Sequence, residues 1–115
     1  MKMRSAERRR HARFPVRIRI QYRTADQFFQ DYVKNVSIGG IFVETSNPLA
    51  KGTRLQVEFS LPGMKAPIRT EGVVVHRLPG KSGLGVGGGM GIRFSELDQR
   101  SKKVLEDYVC KEQRS

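Results

Sequence analysis

The chain has no tryptophan, one cysteine and only two histidines among its 115 residues. The single cysteine, Cys110, cannot form a disulfide within the chain, and this favours a reducing, cytoplasmic setting. His11 and His76 are distant from it in the sequence, so the spacing typical of a metal site is missing. No serine or cysteine has a neighbouring base that the sequence reveals. These absences predict a protein that is not an enzyme and that needs neither a metal nor another cofactor.

Long apolar runs are also missing. None approaches the roughly 20 residues that a membrane-spanning helix needs, and no apolar stretch follows the basic N-terminus as it would in a secretory signal. Hydrophobic residues make up 37% of the chain, and the mean hydropathy is −0.50. Together with the length, these values predict one soluble domain with a modest core and no membrane span.

Acidic residues are scarce relative to basic ones. Lysine and arginine number 22 against 11 aspartates and glutamates, which gives a net charge of +11. Residues 1–23 hold nine cationic residues and one acidic residue, and so account for +8 of that total. Such a concentration predicts an anionic partner: a nucleotide, a nucleic acid or an acidic membrane surface. Composition alone equally allows a solvated basic tail that binds nothing specific.

Hydrophobic periodicity changes at Phe14. Residues 1–13 are polar and aperiodic, which predicts a flexible arm, whereas apolar residues alternate with three arginines and Gln21 from residue 16 to residue 23. This alternation predicts a half-buried strand whose wet face is basic. Further strands are predicted over residues 28–36, 40–45, 54–61, 68–78 and 91–94, with Val73, Val74 and Val75 either buried on both sides or bulged. Short strands separated by turn signals favour a sandwich or a small barrel, and a closed barrel leaves few exposed edges.

The last third of the chain contains a glycine-rich loop and a helical pattern. Residues 79–91 include seven glycines, which predicts a flexible link or a segment that passes close to something else. Ser95 is predicted to cap a helix over residues 95–112, with Glu96 and Asp98 near its positive end. One apolar stripe recurs at helical spacing and is predicted to pack on the barrel or on a partner. Its members are Leu97, Val104, Leu105, Tyr108 and Val109.

Two short motifs lie about twenty residues apart in the sequence. Arg9 and Arg13 form R-x-x-x-R, and Asn35, Ser37 and Gly40 form N-x-S-x-x-G. In an extended chain the amide and the hydroxyl of the second motif would point to the same side, while its glycine would permit close approach of backbone or ligand. Taken alone, the second motif is equally typical of a β-turn in which asparagine and serine bond local backbone groups.

Together and in this order, the motifs resemble the two signature motifs of the PilZ domain, a family of bacterial receptors for cyclic di-GMP. The resemblance runs from about Glu7 to Phe94 and includes the final G-M-G-I-R-F strand. It implies a six-stranded antiparallel β-barrel over residues 14–94, with a flexible basic N-terminal arm over 1–13 and a C-terminal helix over 95–112. It also implies a receptor that orders its arginine arm over the ligand and signals to a partner protein.

The resemblance assigns roles to the motif residues. Arg9 and Arg13 would contact the phosphates and guanine, since a guanidinium donates in pairs to phosphate oxygens and to the guanine edge. Asn35, Ser37 and Gly40 would shape the guanine site. Further candidate contacts are Arg10, Gly39, Arg77 and Arg93.

Two details qualify that assignment. Arg8 directly precedes the motif, and in the family an arginine there accompanies a stacked pair of ligands rather than a single one. Arg4 and Arg8 also have the R-x-x-x-R spacing, but the Phe-Pro-Val strand after Arg13 favours the later register. Many family members have aspartate where this chain has Asn35, and the uncharged amide predicts weaker attraction for the guanine N–H donors.

Two other functions are compatible with the sequence. The first is a PilZ-fold adaptor that binds proteins and no nucleotide, although such members usually lack the arginines. The second is a small nucleic-acid-binding barrel that uses the arm and the basic face of the first strand, at Arg17, Arg19 and Arg23. Base-stacking aromatics are few for that role, so nucleic acid is the less favoured partner.

Overall fold

The computed structural model describes residues 14–64, 66–78 and 88–114. The predicted arm over residues 1–13 and most of the glycine-rich loop lie outside these ranges, as do Arg8, Arg9, Arg10 and Arg13. The described elements are β1 (Phe14–Arg23), β2 (Phe28–Val36), β3 (Gly40–Glu44), β4 (Arg54–Phe59), β5 (Ile68–Leu78), β6 (Gly89–Phe94) and α1 (Gln99–Arg114). The strands close into an antiparallel barrel in the order β1-β2-β3-β6-β5-β4. The predicted six-stranded barrel with a helix after it is confirmed.

The period-two pattern of each strand divides the barrel into a buried inside and a polar outside. In β4, for example, Leu55, Val57 and Phe59 are buried, whereas Arg54 and Gln56 between them are exposed. Each fully buried apolar side chain of this size stabilises the fold by about 1.5–3 kcal/mol. The inward residues of the six strands form one core, so every outward residue is available to solvent or to a ligand.

The ladders of the described strands contain three register shifts, the first of them in β1 between Pro15 and Ile18. The other two change which residues of β2 and β5 reach the outside. In β2 the register shifts between Val33 and Asn35, so that Lys34 and Asn35 lie opposite a single β3 residue, Phe42. The inserted residue keeps both Val33 and Val36 buried and turns the asparagine outward. In β5 the register shifts in the same way between residues 74 and 76. The sequence predicted that Val73, Val74 and Val75 are either buried on both sides or bulged, and the bulge is the alternative observed.

The helix begins four residues later than predicted, at Gln99. Asp98, and not Ser95, caps it, because the Asp98 Oδ1 atom accepts the backbone N–H of Ser101 at 2.7 Å. This bond is the main reason that the pKa of Asp98 lies below its ordinary value. The predicted helix start at residue 95 is therefore wrong.

The four residues between β6 and α1 are held in an extended link by β5. The Ser95 N–H donates to the Glu71 carbonyl at 2.9 Å, and the Thr70 hydroxyl donates to the Glu96 carbonyl at 2.9 Å. Because these bonds hold residues 95 and 96 on the sheet, the chain does not turn into a helix at Ser95. The strand thus continues into a fixed connection, and the first helical turn forms only after it.

The apolar stripe of α1 packs on the chain's own barrel. Leu105, Tyr108 and Val109 are buried and belong to the same core as the barrel interior. Val104 and Leu97 are partly buried against that core, the latter from the link before the helix. Of the two predicted partners for the stripe, the barrel is the one observed.

Replacing Asp98 by alanine should lower the melting temperature, because the first turn of α1 loses its side-chain cap. Asp107→Ala is the matched control, since it removes an exposed carboxylate from the same helix that pairs only with Lys103 at 3.8 Å. Because the pKa of Asp98 is depressed on folding, its contribution is present above its ordinary value of 3.8 and is lost as the pH falls through the folded value. Thermal unfolding at neutral and acidic pH measures both effects, and equal melting temperatures for the two variants at neutral pH would contradict the capping role.

Candidate functional site

The first residues of β1 lie beside the last residues of β2. Phe14 pairs with Val36 and Pro15 pairs with Asn35. The chain therefore enters the barrel directly next to the segment that carries the second motif. Arg13 precedes this pairing by one residue in the sequence and lies outside the described residues.

Ser37 organises the turn between β2 and β3. Its side chain is only 1% exposed, and its Oγ atom accepts the N–H groups of Gly39 and Gly40 at 3.2 Å each. The hydroxyl also donates to the Gly40 carbonyl at 3.3 Å. The expectation that this hydroxyl stands beside the Asn35 amide at the surface is not met, because it is used inside the turn. Ser37 can shape a ligand site only through the backbone that it holds.

Gly40 is required by the neighbouring strand. A Cβ atom at this position would lie 2.2 Å from the Ile92 carbonyl oxygen of β6, far inside contact distance. The preceding residue, Gly39, uses its carbonyl to accept the Phe94 N–H at 3.0 Å. The turn is thus held against the end of β6. The sequence suggested that Gly40 leaves room for a ligand, and the structure shows in addition that a side chain at Gly40 would collide with β6.

Asn35 and Arg93 are two of the polar residues at this end of the barrel, together with the exposed Lys34 on the β2 bulge. Asn35 is partly buried and lies opposite Phe42 on the β2 bulge. Arg93 is exposed and lies opposite Gly40 on β6. Neighbouring strands are about 4.8 Å apart, so an amide, a turn backbone and a guanidinium share one stretch of outer surface.

Arg77 is not part of this group. It pairs with Met90, three residues before Arg93 along β6 and toward the other end of the barrel. Its Nε atom donates to the Pro48 carbonyl at 3.2 Å. The structure therefore brings together Asn35, Ser37, Gly39, Gly40 and Arg93 among the predicted contacts, and places Arg77 apart from them.

Phe42 is a residue of this surface to which the sequence analysis gave no role. Its ring lies over β6, because a Cβ atom on Gly89 would come within 2.6 Å and 2.8 Å of two ring carbons. Asn35 is its neighbour on one side and Gly91 on the other. The sequence feature that could have indicated Phe42 is an aromatic residue at an outward strand position next to a motif residue. In the structure, Phe42 provides an apolar ring on the strand beside Asn35.

Within residues 14–64, 66–78 and 88–114, no group of three histidine, cysteine, aspartate or glutamate side chains could hold a metal ion. In the same part of the chain, no helix is long and apolar enough to cross a membrane.

The family comparison agrees with this geometry. The chain matches the PilZ domain over residues 7–111 and therefore belongs to the PilZ domain family. PilZ domains are non-catalytic receptors in cyclic di-GMP signalling, so the prediction that the chain is not an enzyme is confirmed. A search of curated proteins found no match.

Solved structures show the same fold at low sequence identity. The Bacillus subtilis inhibitor of motility, MotI/DgrA, has a TM-score of 0.76 and 23% identity over 91% of this chain, and this chain spans 51% of its length. The PilZ domain of Escherichia coli YcgR with c-di-GMP has a TM-score of 0.73 and 20% identity, covering 93% of this chain and 92% of that one. Borreliella burgdorferi PlzA in complex with c-di-GMP has a TM-score of 0.61 and 16% identity, covering 93% and 43% respectively.

Proposed function

We propose that this chain is a cyclic di-GMP receptor whose arginine arm closes over a nucleotide bound at Asn35–Gly40. The observation that carries the proposal is the pairing of Phe14 with Val36, which joins the arm to the barrel beside the turn. Two structures with the same fold are complexes with c-di-GMP. The match to the PilZ domain over residues 7–111 adds support, because it includes both motifs.

The ligand would be held between the arm and the outer surface. Arg9 and Arg13 would donate in pairs to phosphate oxygens and to guanine O6 and N7. Asn35 would meet a base edge, and Arg93 would add a guanidinium from the barrel itself. Ser37 and Gly40 would act indirectly, by holding the turn against β6.

The output would be the position of the arm. Contacts to the ligand would fix the arm on the barrel, and this change would be presented to a partner protein. Such a mechanism needs no catalysis and no further domain on the chain described. Its compartment would be the cytoplasm, as the single cysteine predicts.

Isothermal titration with cyclic di-GMP, with GTP as the control nucleotide, tests the proposal. We expect saturable heat with the cyclic dinucleotide and none with GTP at the same ionic strength. Circular dichroism of the same sample establishes that the barrel is folded. Absence of binding in a folded sample would contradict the proposal and favour the adaptor function instead.

Arg8→Leu should halve the stoichiometry, from about two ligands per chain to about one, if a stacked pair binds as the arginine before the motif implies. Arg4→Leu is the matched control, since it removes the same charge from the same arm outside the Arg9–Arg13 motif. A stoichiometry of one in the unmodified protein would contradict the stacked pair. If Arg4→Leu lowered the stoichiometry more than Arg8→Leu did, the earlier register of the motif, Arg4 and Arg8, would be favoured instead.

A further inference from the structure

Three surface clefts run along the junction of β1 and β4, and each shares two residues with the next. The first and second share Gln21 and Glu58, and the second and third share Arg23 and Gln56. They form one continuous groove, which we call the β1–β4 trough. It is lined by residues 18–25 and 54–60, with Phe28, Gln30, Arg69 and Glu71.

The trough carries unneutralised positive charge. Its lining includes four arginines and two glutamates. Both glutamates are already paired: Glu58 with Arg69 at 3.1 Å and Glu71 with Arg54 at 3.9 Å. The other two arginines, Arg19 and Arg23, have no carboxylate partner among the described residues.

These two arginines are spaced along one strand. Arg19 and Arg23 point outward from β1 and are four residues apart, which corresponds to about 13 Å in a strand. Arg17, which the sequence placed with them, is engaged elsewhere. Its guanidinium lies 3.4 Å from Glu44 and 4.2 Å from the centre of the Tyr32 ring. The structure therefore divides the basic face of β1 into an internally paired arginine and two that face the trough.

An aromatic ring stands beside this charge. Phe28 is 59% exposed and lies directly opposite Arg23 in the β1–β2 ladder. Glutamine amides, which can both donate and accept hydrogen bonds, occupy the neighbouring outward positions. They are Gln21, Gln30 and Gln56.

We propose that the β1–β4 trough binds single-stranded nucleic acid, at a site separate from the nucleotide surface. Arg19 and Arg23 would contact phosphates, Phe28 would stack on a base, and the amides would meet base edges of any identity. The lining from residue 54 to residue 60 extends about 20 Å, a length suited to the short end of the ~4–16-nucleotide sites of small barrels. An acidic peptide would use the arginines but would have no use for an exposed ring next to them.

None of Asn35, Ser37, Gly39, Gly40 and Arg93 lines the trough. The proposal therefore does not depend on cyclic di-GMP binding, and its failure would leave that function untouched. Bound nucleic acid and bound cyclic dinucleotide should coexist on one chain.

The first test changes the ring without changing the charge. Fluorescence anisotropy of labelled (dT)15 and (rU)15 with the full chain at fixed salt should show Phe28→Ala weakening binding roughly fivefold to a hundredfold, the effect of losing one stacked base. Phe28→Tyr should retain binding. Leu78→Ala, which removes a 49% exposed side chain outside the trough, should leave it unchanged. No effect of Phe28→Ala would overturn the proposal.

The second test separates the trough from the basic arm, which attracts any polyanion. Arg19→Ala with Arg23→Ala should weaken binding and reduce the slope of log affinity against log salt by about 1.4, for two single-strand phosphates. Arg17→Ala with Arg100→Ala removes the same charge outside both the trough and the nucleotide surface and should have little effect. Equal losses in the two pairs would overturn the proposal, because binding would then follow overall charge. The proposal would also be overturned if saturating cyclic di-GMP competed with the nucleic acid for binding. It would likewise be overturned if polyglutamate bound with equal affinity and Phe28→Ala left that affinity unchanged.

Discussion

Replacing both Arg9 and Arg13 by alanine should lower the affinity for cyclic di-GMP by about two to four orders of magnitude. A hydrogen bond to a charged group contributes about 1.5–3 kcal/mol, and the proposal gives each arginine at least one. Isothermal titration of the double variant measures the loss. This is the largest effect expected of any change outside the barrel, because these residues would form the whole of one wall of the site.

Two companion variants show what kind of contact is lost. Arg13→Lys keeps the charge but not the paired donors of the guanidinium, so it should recover only part of the affinity. Arg17→Ala removes a nearby β1 arginine that is paired with Glu44 and should bind as the unmodified chain does. If the double variant bound cyclic di-GMP with unchanged affinity, the site assignment would have to be abandoned.

Gly40→Ala should destabilise the barrel by about 3 kcal/mol, the upper part of the range for forcing atoms into a packed interior. The new Cβ atom would lie 2.2 Å from the Ile92 carbonyl oxygen. That oxygen belongs to the backbone of β6, so no side-chain rotation can relieve the contact and β3 must move away from β6. For a domain of this size, the melting temperature should fall by more than about 10 °C.

Gly91→Ala is the matched control in the adjacent strand. Its Cβ atom would come no closer than 3.2 Å to another heavy atom, the Cβ of His76, and a small shift suffices. We expect a change of about 1 kcal/mol or less. Chemical denaturation of both variants gives the comparison, and equal stabilities would show that the β3–β6 contact yields more easily than the distance suggests.

The strands could be predicted because each carries its own signal. Alternation is local, and β2 and β5 begin and end where the sequence placed them. The last strand was predicted from Gly91 but begins at Gly89, because glycines leave no hydrophobic alternation to follow. The helix start was misplaced for a different reason: Ser95 is a good cap in isolation, but hydrogen bonds to β5 hold residues 95 and 96 on the sheet, and only the folded sheet supplies those partners.

The candidate site was predictable only in part. The motif residues Asn35, Ser37 and Gly40 do lie together, next to the start of β1. The internal use of the Ser37 hydroxyl and the contact of Gly40 with Ile92 depend on how the turn folds and on a strand about fifty residues later. The β1–β4 trough is further from prediction still, because β1 and β4 are not consecutive and nothing in either strand alone indicates that they pair.

Because Phe14 pairs with Val36, the arm is attached to the barrel at a fixed point, and this limits the distance that each arm residue can reach. A chain spans at most about 3.6 Å per residue, so Arg13 stays within about 4 Å of the ladder and Arg9 within about 18 Å. The Cα atom of Arg9 therefore has a longer reach from the ladder than the Cα atom of Arg13. A short tether gives the arm an effective concentration in the millimolar range. Under the proposed function, even a weak intrinsic affinity of the arm for the nucleotide would then be enough to hold the arm on the bound ligand. Extra residues inserted between Arg13 and Phe14 would lengthen the tether and lower this effective concentration without changing a contact within the barrel.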